Sequence, residues 1–419
     1  MIDGLVERPL YMKSIERFLE TPEIKVLIGV RRCGKSSLLS LLDARLIQQK
    51  GIPKHNVISL KLDSYEVPLN PDDLWLSSTL EACLKKANDD KPVFILLDEV
   101  QEVQGWENVV RKLNTRPNTN IFITGSNSKV LSGDLATFLA GRYIEIPVHP
   151  LNFDEYKLFA TASGWDVSNE ERLFDDFMTY GSMPALFYHL QADEDAFYKV
   201  LSSITDTVVL KDVIARHGVK DTDLLNRVIR YIFSTSGNLL STKKIVDTLT
   251  SSGRKCSQET IDNYINALVS SKILTPCVQG GVGGKQVLRP QKKYYVVDTG
   301  LRNMTVGFNK TKDLGFQFEG VVHNELIALG WNLSTIRNLK DEEVDFLATR
   351  NDEKMYVQVA LSVLDDATFN RELTPLASLK DSFPKYIVVK DHNRLGITEE
   401  GIKIVNIIDW LKTLDLAHV

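Results

Sequence analysis

Cysteine is scarce in this sequence, and its few copies show none of the spacings that metal or disulfide chemistry requires. The 419 residues include four cysteines, at positions 33, 83, 256 and 277, and no C-x-x-C pair. A disulfide framework needs paired cysteines, and a zinc site needs cysteines or histidines in clusters. The seven histidines form no such cluster. We therefore expect a reducing compartment and no zinc centre.

Long apolar runs are also absent. The longest are strand-sized, such as residues 93–97, whereas a membrane-spanning helix needs about 20 apolar residues. The N-terminal residues include an acid at position 3 and no apolar stretch of the kind that a signal peptide contains. We therefore expect a cytoplasmic protein without a membrane partner.

Neither sign of charge dominates. The chain has 50 basic and 55 acidic residues, and its net charge is −5. Hydrophobic residues make up 43% and charged residues 25%, which excludes disordered and fibrous proteins. At roughly 150 residues each, two to four domains are expected. So mild a net charge indicates no general nucleic-acid binder, although it would hide a local basic patch.

The chain does contain one complete phosphate-binding motif. Residues 29–36 read GVRRCGKS, a G-x-x-x-x-G-K-[ST] match between a predicted strand and a predicted helix. In such a loop, backbone N–H groups and the helix N-terminus surround a phosphate. The motif predicts that Lys35 binds the β- and γ-phosphates of a nucleotide and that Ser36 binds Mg²⁺. The other nucleotide-binding candidates are Gly29, Arg32, Cys33, Gly34 and Ser37.

A second apolar strand, at 93–97, is followed by two acids, Asp98 and Glu99. The pattern predicts that Asp98 holds Mg²⁺ and that Glu99 accepts a proton from the attacking water. The alternative for Glu99 is an exposed acid at a strand end. A further strand, predicted at 57–62, separates the two motifs along the chain. This arrangement is typical of the NTPase division that has an added strand and a catalytic glutamate.

Two more features belong to the expected catalytic site. The apolar strand at 121–124 runs into polar residues, among which Ser126 and Asn127 are candidates for contacting the γ-phosphate or the attacking water. Arg142 precedes the next predicted strand. It would act either as an arginine finger towards a neighbouring subunit or as one half of a surface ion pair.

The alternation of strands and helices over residues 1–150 predicts an α/β fold, a P-loop NTPase core with a mostly parallel sheet. Residues 151–222 have helical patterning and many aromatic side chains, so we expect a helical lid. Residues 223–300 read as three helices followed by a β-hairpin, which is a winged helix. Residues 301–419 alternate again and predict a further α/β domain.

In this order the motifs resemble the AAA-type ATPase domain of a widespread bacterial and archaeal family. The resemblance rests on GVRRCGKSSLL, LLDEVQEVQGW, ITGSNSKVL, the Gly-Arg pair at 141–142 and PLNFDEY. It continues through YGSMP, KYYVVDTGLR and EVDF, and so covers nearly the whole chain. In that family the ATPase is joined to a winged helix and to a C-terminal domain that resembles restriction endonucleases. The resemblance implies ATP as the nucleotide and Arg8 close to it. With Arg142 as a candidate finger towards a neighbouring subunit, we also expect a homo-oligomer, with a hexamer as one option.

Basic residues surround the third predicted helix of the winged helix, at 257–269. The helix itself presents neutral and acidic residues outwards, which argues against tight base readout. Lysines and arginines on a wing suit contacts to DNA phosphates, which position a protein without specifying a sequence. The alternative is a module that only packs or oligomerises. The candidate DNA-contacting residues are Arg254, Lys255, Lys285, Arg289, Lys292 and Lys293.

The C-terminal domain departs from the endonuclease pattern. The resemblance places the acids of such a site at Glu319, Glu325 and Asp345. On the following strand an E-x-K pattern is expected, but this chain has Gln358 and Ala360. Without that carboxylate and lysine, metal binding and proton transfer lose their support, so we expect a degenerate nuclease fold used for binding. Glu319 and His323, four residues apart, read as a solvated helix pair.

Two functions from different classes are consistent with these features. The first is a Mg²⁺-dependent ATPase that couples its nucleotide cycle to DNA binding or remodelling. The second is an ATP-dependent switch that holds a protein partner, in signalling or defence, and has no nucleic-acid substrate. A metal-dependent nuclease is disfavoured by Gln358 and Ala360.

Overall fold

The computed structural model describes residues 4–88, 90–125, 139, 141–188, 194–211, 213–214, 219–280, 292–307, 314–338 and 342–416. The chain separates into two units, Met1–Pro150 and Leu151–Val419. None of the helices within the described ranges is both long enough and apolar enough to cross a membrane.

The first unit is built on a parallel sheet of five strands in the order β2-β3-β4-β1-β5. Every residue of β1 and of β3 is buried, as expected for central parallel strands that are covered on both faces. The predicted α/β fold with a parallel sheet is thus confirmed. The strands are β1 (Ile24–Ile28), β2 (Val57–Lys61), β3 (Val93–Asp98), β4 (Thr119–Gly125) and β5 (Tyr143–Pro147).

In the sheet, β4 lies between β1, which leads into the phosphate motif, and β3, at whose end the acids lie. The strand that separates them along the chain, β2, lies at the edge of the sheet instead. The carboxyl ends of β1, β3 and β4 therefore lie side by side, and the residues that follow these strands share one edge of the sheet.

Four helices accompany this sheet among the described residues: α1 (Pro9–Arg17), α2 (Lys35–Gln48), α3 (Asp73–Leu84) and α4 (Trp106–Leu113). The apolar face of α2, which includes Leu38 and Leu42, is buried. Because α2 begins at Lys35, the phosphate motif leads directly into a helix N-terminus, which favours an anion there.

The second unit begins with helices. Those described are α5 (Phe153–Ala162), α6 (Glu170–Tyr180), α7 (Glu194–Thr205), α8 (Thr222–Ser234), α9 (Thr242–Ser251), α10 (Gln258–Ser270), α11 (Thr299–Val306), α12 (Leu314–Ala328), α13 (Asp366–Ala377) and α14 (Ile407–Leu416). Ser257 caps α10, because its hydroxyl accepts the N–H of Thr260 at 3.1 Å. Aromatic rings pack edge to face between α5 and α6, as in the pair Phe153 and Phe174.

An eight-stranded sheet completes the second unit, in the order β12-β13-β11-β10-β9-β8-β6-β7. The predicted hairpin forms β6 and β7, and β6 also pairs in parallel with β8. The hairpin and the C-terminal strands therefore belong to one sheet that runs across position 300. The strands are β6 (Leu274–Gln279), β7 (Lys292–Val296), β8 (Asn332–Arg337), β9 (Glu343–Arg350), β10 (Glu353–Ala360), β11 (Lys385–Val389), β12 (Gly396–Ile397) and β13 (Lys403–Asn406).

Two of the weaker sequence motifs, YGSMP and DTGLR, meet inside this unit. The carboxylate of Asp298 accepts the N–H of Ser182 at 2.6 Å and caps α11 by accepting the N–H of Leu301 at 2.9 Å. Gly300 packs so tightly that a Cβ there would lie 2.1 Å from the carbonyl oxygen of Tyr180. The two motifs thus form the packing contact between the end of α6 and the start of α11.

Candidate nucleotide site

The phosphate motif forms a loop between β1 and α2 that needs glycine at two positions. Gly34 has a φ of 101°, in the region that favours glycine. A Cβ at Gly29 would lie 2.1 Å from the carbonyl oxygen of Val148, so no side chain fits there. The Cys33 side chain is fully buried against that same carbonyl, 3.3 Å away, which supports a packing role for the thiol.

Lys35 lies inside the loop rather than in solvent. Its side chain is 3% exposed, and its Nζ donates hydrogen bonds to the carbonyl oxygens of Gly29 and Val30, both at 3.1 Å. The loop therefore surrounds an ammonium group. An anionic phosphate oxygen in the loop would be a stronger partner for this cation than the two neutral carbonyls.

Arg8 supports the loop from outside. Its guanidinium donates to the carbonyl oxygen of Cys33 at 2.8 Å and to those of His149 and Pro150 at 2.9 and 3.3 Å. It also lies over the ring of Tyr11, 4.3 Å from the centroid. Arg8 is thus beside the phosphate loop and ties it to the residues that follow β5. Arg32 and Ser37 also lie in this region, and the Arg32 side chain is exposed.

Asp98 ends β3 directly opposite the start of α2. Its Oδ1 accepts hydrogen bonds from Ser36 Oγ at 3.0 Å and from Thr124 Oγ1 at 2.5 Å. Burial raises the pKa of Asp98 above its ordinary value, while the bonds from Thr124 and Ser36 act in the opposite direction. A hydroxyl beside a carboxylate offers the hard oxygen ligands that Mg²⁺ prefers, so Ser36 and Asp98 fit this ion.

Glu99 follows in the left-handed conformation, with a φ of 56°, and starts a short 3₁₀ turn over Val100–Glu102. Its N–H donates to Thr124 Oγ1 at 2.9 Å, and its carboxylate accepts a hydrogen bond from the side-chain amide of Gln101. Left-handed backbone is uncommon outside glycine and is often found at functional sites.

Thr124 is the residue of this site that the sequence did not single out. Ser126 and Asn127, the predicted contacts on this strand, lie outside the described residues. Thr124 is fully buried at the end of β4 and contacts both Asp98 and the backbone of Glu99. The signal in the sequence was a hydroxyl near the end of an apolar strand, two residues before Ser126 and three before Asn127.

Arg142 lies at the other edge of the same sheet. Its carbonyl oxygen accepts the N–H of Ile24, at the start of β1, at 2.9 Å, whereas the phosphate loop follows the end of β1. Five residues of strand span about 16 Å. The exposed Arg142 side chain is therefore on the opposite edge of the sheet from the phosphate loop of its own chain.

The predicted basic surface around α10 is smaller than the sequence suggested. Arg254 pairs with Asp221 at 2.7 Å and also with Asp223, so its charge is balanced. Lys255 is exposed and Lys292 partly so. Lys285 and Arg289 lie outside the described residues.

Lys293 is not on that surface at all. It is 5% exposed, and its ammonium pairs with Glu319 at 3.0 Å and with Glu343 at 2.7 Å. Burial alone would lower the pKa of Lys293, but the nearby carboxylates, Glu319 first, raise it. The prediction that Lys293 contacts DNA is wrong, because the ammonium is enclosed by its carboxylate partners.

A cavity of about 1000 Å³ lies where the endonuclease-like site was expected, lined by Glu319, Asp345, Gln358 and Glu372 among others. Gln358 accepts the N–H of Asp345 at 3.2 Å and donates to Glu372 at 2.7 Å, so its amide is used within the protein. Burial and the charge of Glu319 raise the pKa of Asp345 well above its ordinary value. Within the described ranges, no group of three ligating side chains is arranged to hold a metal ion.

Two helical residues near this cavity were predicted to form a solvated pair, and this was wrong. His323 is fully buried and stacks on the ring of Tyr295, with centroids 4.0 Å apart. Glu319 instead accepts hydrogen bonds from Tyr295, at 2.6 Å, and from Lys293. Glu325 is also buried, and it accepts the N–H of Phe153 at 2.9 Å.

The chain is similar to proteins of known sequence and structure. Residues 21–157 match the family model described as an AAA domain, and residues 171–312 match DUF8612, a domain of unknown function. An uncharacterized protein of Haemophilus influenzae is 34% identical over 414 residues, which cover 98% of this chain and 100% of that protein. The uncharacterized protein MJ1544 of Methanocaldococcus jannaschii is 29% identical over 375 residues, 86% of this chain and 79% of that protein.

Among solved structures, the Walker-type ATPase PABY2304 of Pyrococcus abyssi resembles this chain with a TM-score of 0.50 and 17% identity. The likeness covers 72% of this chain and 96% of that one, and it concerns the fold alone. The identity to the Haemophilus influenzae protein, by contrast, extends over the whole length of both chains. This chain therefore belongs to the same family as that protein, and its first unit carries an AAA domain.

Proposed function

We propose that this protein is a Mg²⁺-dependent ATPase that couples its nucleotide cycle to DNA binding or remodelling. The observation that carries the proposal is the chain of contacts from Ser36 through Asp98 and Thr124 to Glu99, beside the buried ammonium of Lys35. The proposed cation, metal ligands and proton acceptor would thus lie together at one edge of the sheet, as hydrolysis of a nucleoside triphosphate requires.

Each of these residues has a definite task in hydrolysis. Lys35 would bind the γ-phosphate, and Ser36 and Asp98 would hold Mg²⁺, which neutralises charge that develops on the phosphate oxygens. Glu99 would accept a proton from water as its oxygen attacks the γ-phosphorus. The bond from that phosphorus to the oxygen it shares with the β-phosphate then breaks, and ADP and phosphate are released.

Nucleotide binding would also change the contacts of the loop. Lys35 would exchange two backbone carbonyls for phosphate oxygens, and Ser36 would exchange its bond to Asp98 for the metal. Arg8 bonds both to Cys33 in the loop and to Pro150 at the end of the first unit. We propose that Arg8 carries loop movement to this part of the chain.

The proposed DNA contact rests on Lys255 and Lys292, the accessible candidates among those wing and helix cations that the structure describes. Phosphate contacts of this kind would give weak, salt-dependent binding without base readout. The second candidate function, a switch that binds a protein partner, is favoured by a different feature. Tyr65 and Leu69, in the segment between β2 and α3, are almost fully exposed, and exposed apolar side chains of this size suit a protein contact.

Replacing Lys35 tests the ATPase directly. Lys35→Ala is expected to abolish ATP hydrolysis and binding of a non-hydrolysable ATP analogue, because the loop then lacks its cation. Lys50→Ala, an exposed lysine just beyond α2, serves as the control and should hydrolyse ATP at the parental rate. A Lys35→Ala protein with parental activity would exclude this site as the origin of the hydrolysis.

The two functions differ in their response to DNA. For the first, single-stranded, duplex or forked DNA stimulates ATP hydrolysis, and binding weakens as salt rises. The double variant Lys255→Ala/Lys292→Ala should lose this response, while Lys61→Ala, an exposed lysine on β2, should keep it. No stimulation by any of the three DNAs, together with no salt-dependent binding, would favour the protein-partner switch.

A further inference from the structure

We infer that Gln101 is a positioning residue for Glu99, and that its side-chain amide holds the carboxylate in the orientation that accepts a proton from the attacking water. The inference rests on the proposed ATPase function and adds a residue to it. Gln101 is neither part of the phosphate motif nor one of the two acids, Asp98 and Glu99, at the end of β3.

The backbone brings the two side chains together. Glu99 leaves β3 in the left-handed conformation, and the chain then closes a 3₁₀ turn in which the N–H of Glu102 donates to the carbonyl oxygen of Glu99 at 3.1 Å. This turn folds Gln101 back, and its Nε2 donates a hydrogen bond to Glu99 Oε2.

Such a contact is needed because the other anchor of Glu99 acts only on its backbone. Thr124 Oγ1 accepts the Glu99 N–H, which fixes the Cα but leaves the side-chain torsions free. The Glu99 side chain is half-buried, so packing restricts it only in part. Among the described residues, Gln101 supplies the hydrogen bond that reaches the carboxylate itself.

The bond occupies one carboxylate oxygen and leaves the other for chemistry. Oε2 accepts the amide of Gln101, and within the described part of the chain no hydrogen bond is donated to Oε1. A proton acceptor works only within hydrogen-bond reach of its proton, and small displacements reduce the rate strongly. Holding Oε2 therefore restricts the carboxylate and leaves Oε1 as the oxygen that can accept the proton of the attacking water.

Two substitutions separate the hydrogen bond from packing. Gln101→Met keeps the length of the side chain and removes the donor, whereas Gln101→Ala removes both. Each is expected to lower kcat for ATP hydrolysis about tenfold, since a misplaced base loses part of the roughly 100-fold or larger contribution of general base catalysis. KM for ATP and the affinity for a non-hydrolysable analogue should stay within about twofold, because neither Lys35 nor the loop is touched. Gln104→Ala, an exposed glutamine in the same segment, is the matched control and should behave as the parental protein.

A double-mutant cycle tests whether Gln101 acts through Glu99. Glu99→Gln should lower kcat severely, and adding Gln101→Met should cause no further loss, because the carboxylate that the amide positions is already gone. A further tenfold loss in the double variant would overturn the inference. It would also be overturned if Gln101→Met had a kcat at or above the parental value, or lost nucleotide affinity in proportion to kcat.

Failure of the inference is distinguishable from failure of the proposed function. A parental protein that hydrolyses no ATP overturns both. Hydrolysis that is lost in Lys35→Ala but kept at the parental rate in Gln101→Met overturns the role of Gln101 alone.

Discussion

Thr124 Oγ1 lies 2.5 Å from Asp98 Oδ1 and donates a hydrogen bond to it across the boundary between β4 and β3. The same oxygen accepts the N–H of Glu99 at 2.9 Å. One hydroxyl therefore contacts the carboxylate proposed to bind Mg²⁺ and the backbone of the proposed proton acceptor. Because burial raises the pKa of Asp98, the donated bonds from Thr124 and Ser36 are what favour its ionised form.

Removing this hydroxyl should impair hydrolysis more than binding. Thr124→Val keeps the shape of the side chain but leaves the Glu99 N–H without its acceptor and Asp98 with one donor fewer. We expect kcat to fall about 10- to 100-fold with little change in affinity for an ATP analogue, and Thr124→Ser to retain most activity. Thr119→Val, at the start of the same strand, is the control in steady-state kinetics. A parental kcat in Thr124→Val would show that the contact is dispensable.

From the position of Arg142 we expect ATP hydrolysis to depend on a neighbouring subunit. Because its side chain is on the opposite edge of the sheet from its own phosphate loop, Arg142→Ala should hydrolyse ATP slowly while still binding it. Mixing Arg142→Ala with the inactive Lys35→Ala protein should restore activity, since each supplies what the other lacks at a shared interface. ATPase assays of the mixture check this, with Arg111→Ala, another exposed arginine, as the control.

Size measurements with and without a non-hydrolysable ATP analogue complement that experiment. An oligomer that forms or tightens with nucleotide is expected if Arg142 reaches a neighbouring site. Parental activity in Arg142→Ala, or no recovery in the mixture, would leave the arginine as an ordinary surface residue.

Lys293 should matter for stability and not for DNA. Lys293→Met leaves Glu319 and Glu343 without their shared cation, and breaking a buried pair in this way costs about 3 kcal/mol of unfolding free energy. Urea unfolding measures this loss. Lys255→Met is the opposite case. Because Lys255 is exposed, its loss should weaken any DNA binding and leave the unfolding free energy unchanged. An equal effect of both substitutions on DNA affinity would contradict the burial of Lys293.

Lys25 should make the stability depend on pH above neutrality. Its Nζ is buried in β1, donates to the carbonyl oxygen of Thr21 at 2.5 Å, and lies 5.2 Å from the ring centroid of Phe122. Burial lowers the pKa of Lys25 from 10.5 to about 8. The folded protein thus binds fewer protons than the unfolded chain between these values, and its stability should rise with pH across that window.

The matching substitution is Lys25→Met, which removes the cost of burying the charge. At pH 7 it should stabilise the protein by about 3 kcal/mol, the free energy that corresponds to lowering the pKa of Lys25 from 10.5 to about 8. The gain should shrink as the pH rises from about 8 towards 10.5, because the amine is then neutral in the folded protein and costs progressively less free energy to deprotonate. Urea unfolding at pH 7 and pH 10 tests this, with the exposed Lys61→Met as control. A gain of equal size at both pH values would rule out titration of Lys25 as the cause.

The phosphate site was predictable because its determinants are local. The loop, its lysine and the start of α2 are consecutive residues, and parallel strands place Asp98 at the same edge. Thr124 was missed because the sequence pattern does not place the end of a strand to within two or three residues, and it does not show which hydroxyl faces β3. The place of β4 between β1 and β3 follows from pairing between distant segments, which no local pattern encodes.

The second unit was harder to predict, since its buried polar groups find partners far along the chain. Lys293 reads as a wing lysine beside Lys292, yet alternation along β7 turns it into the protein, towards Glu319 on α12 and Glu343 on β9. His323 lies four residues from Glu319, which suggested a solvated pair, but Tyr295 covers its ring. In both cases tertiary packing buries a polar side chain of a type that is exposed in most helices and strands.

The parallel pairing of β6 with β8 limits how this chain can be divided in the laboratory. A protein cut after residue 300 would retain the three helices and the hairpin but lose β8, so the backbone N–H and C=O groups at the end of β6, around Val278 and Gln279, would be left open. Open strand edges of this kind pair with other chains and aggregate. A shortened protein that ends near residue 300 is therefore expected to aggregate. A protein that starts near residue 151 and runs to the end keeps every strand of the sheet.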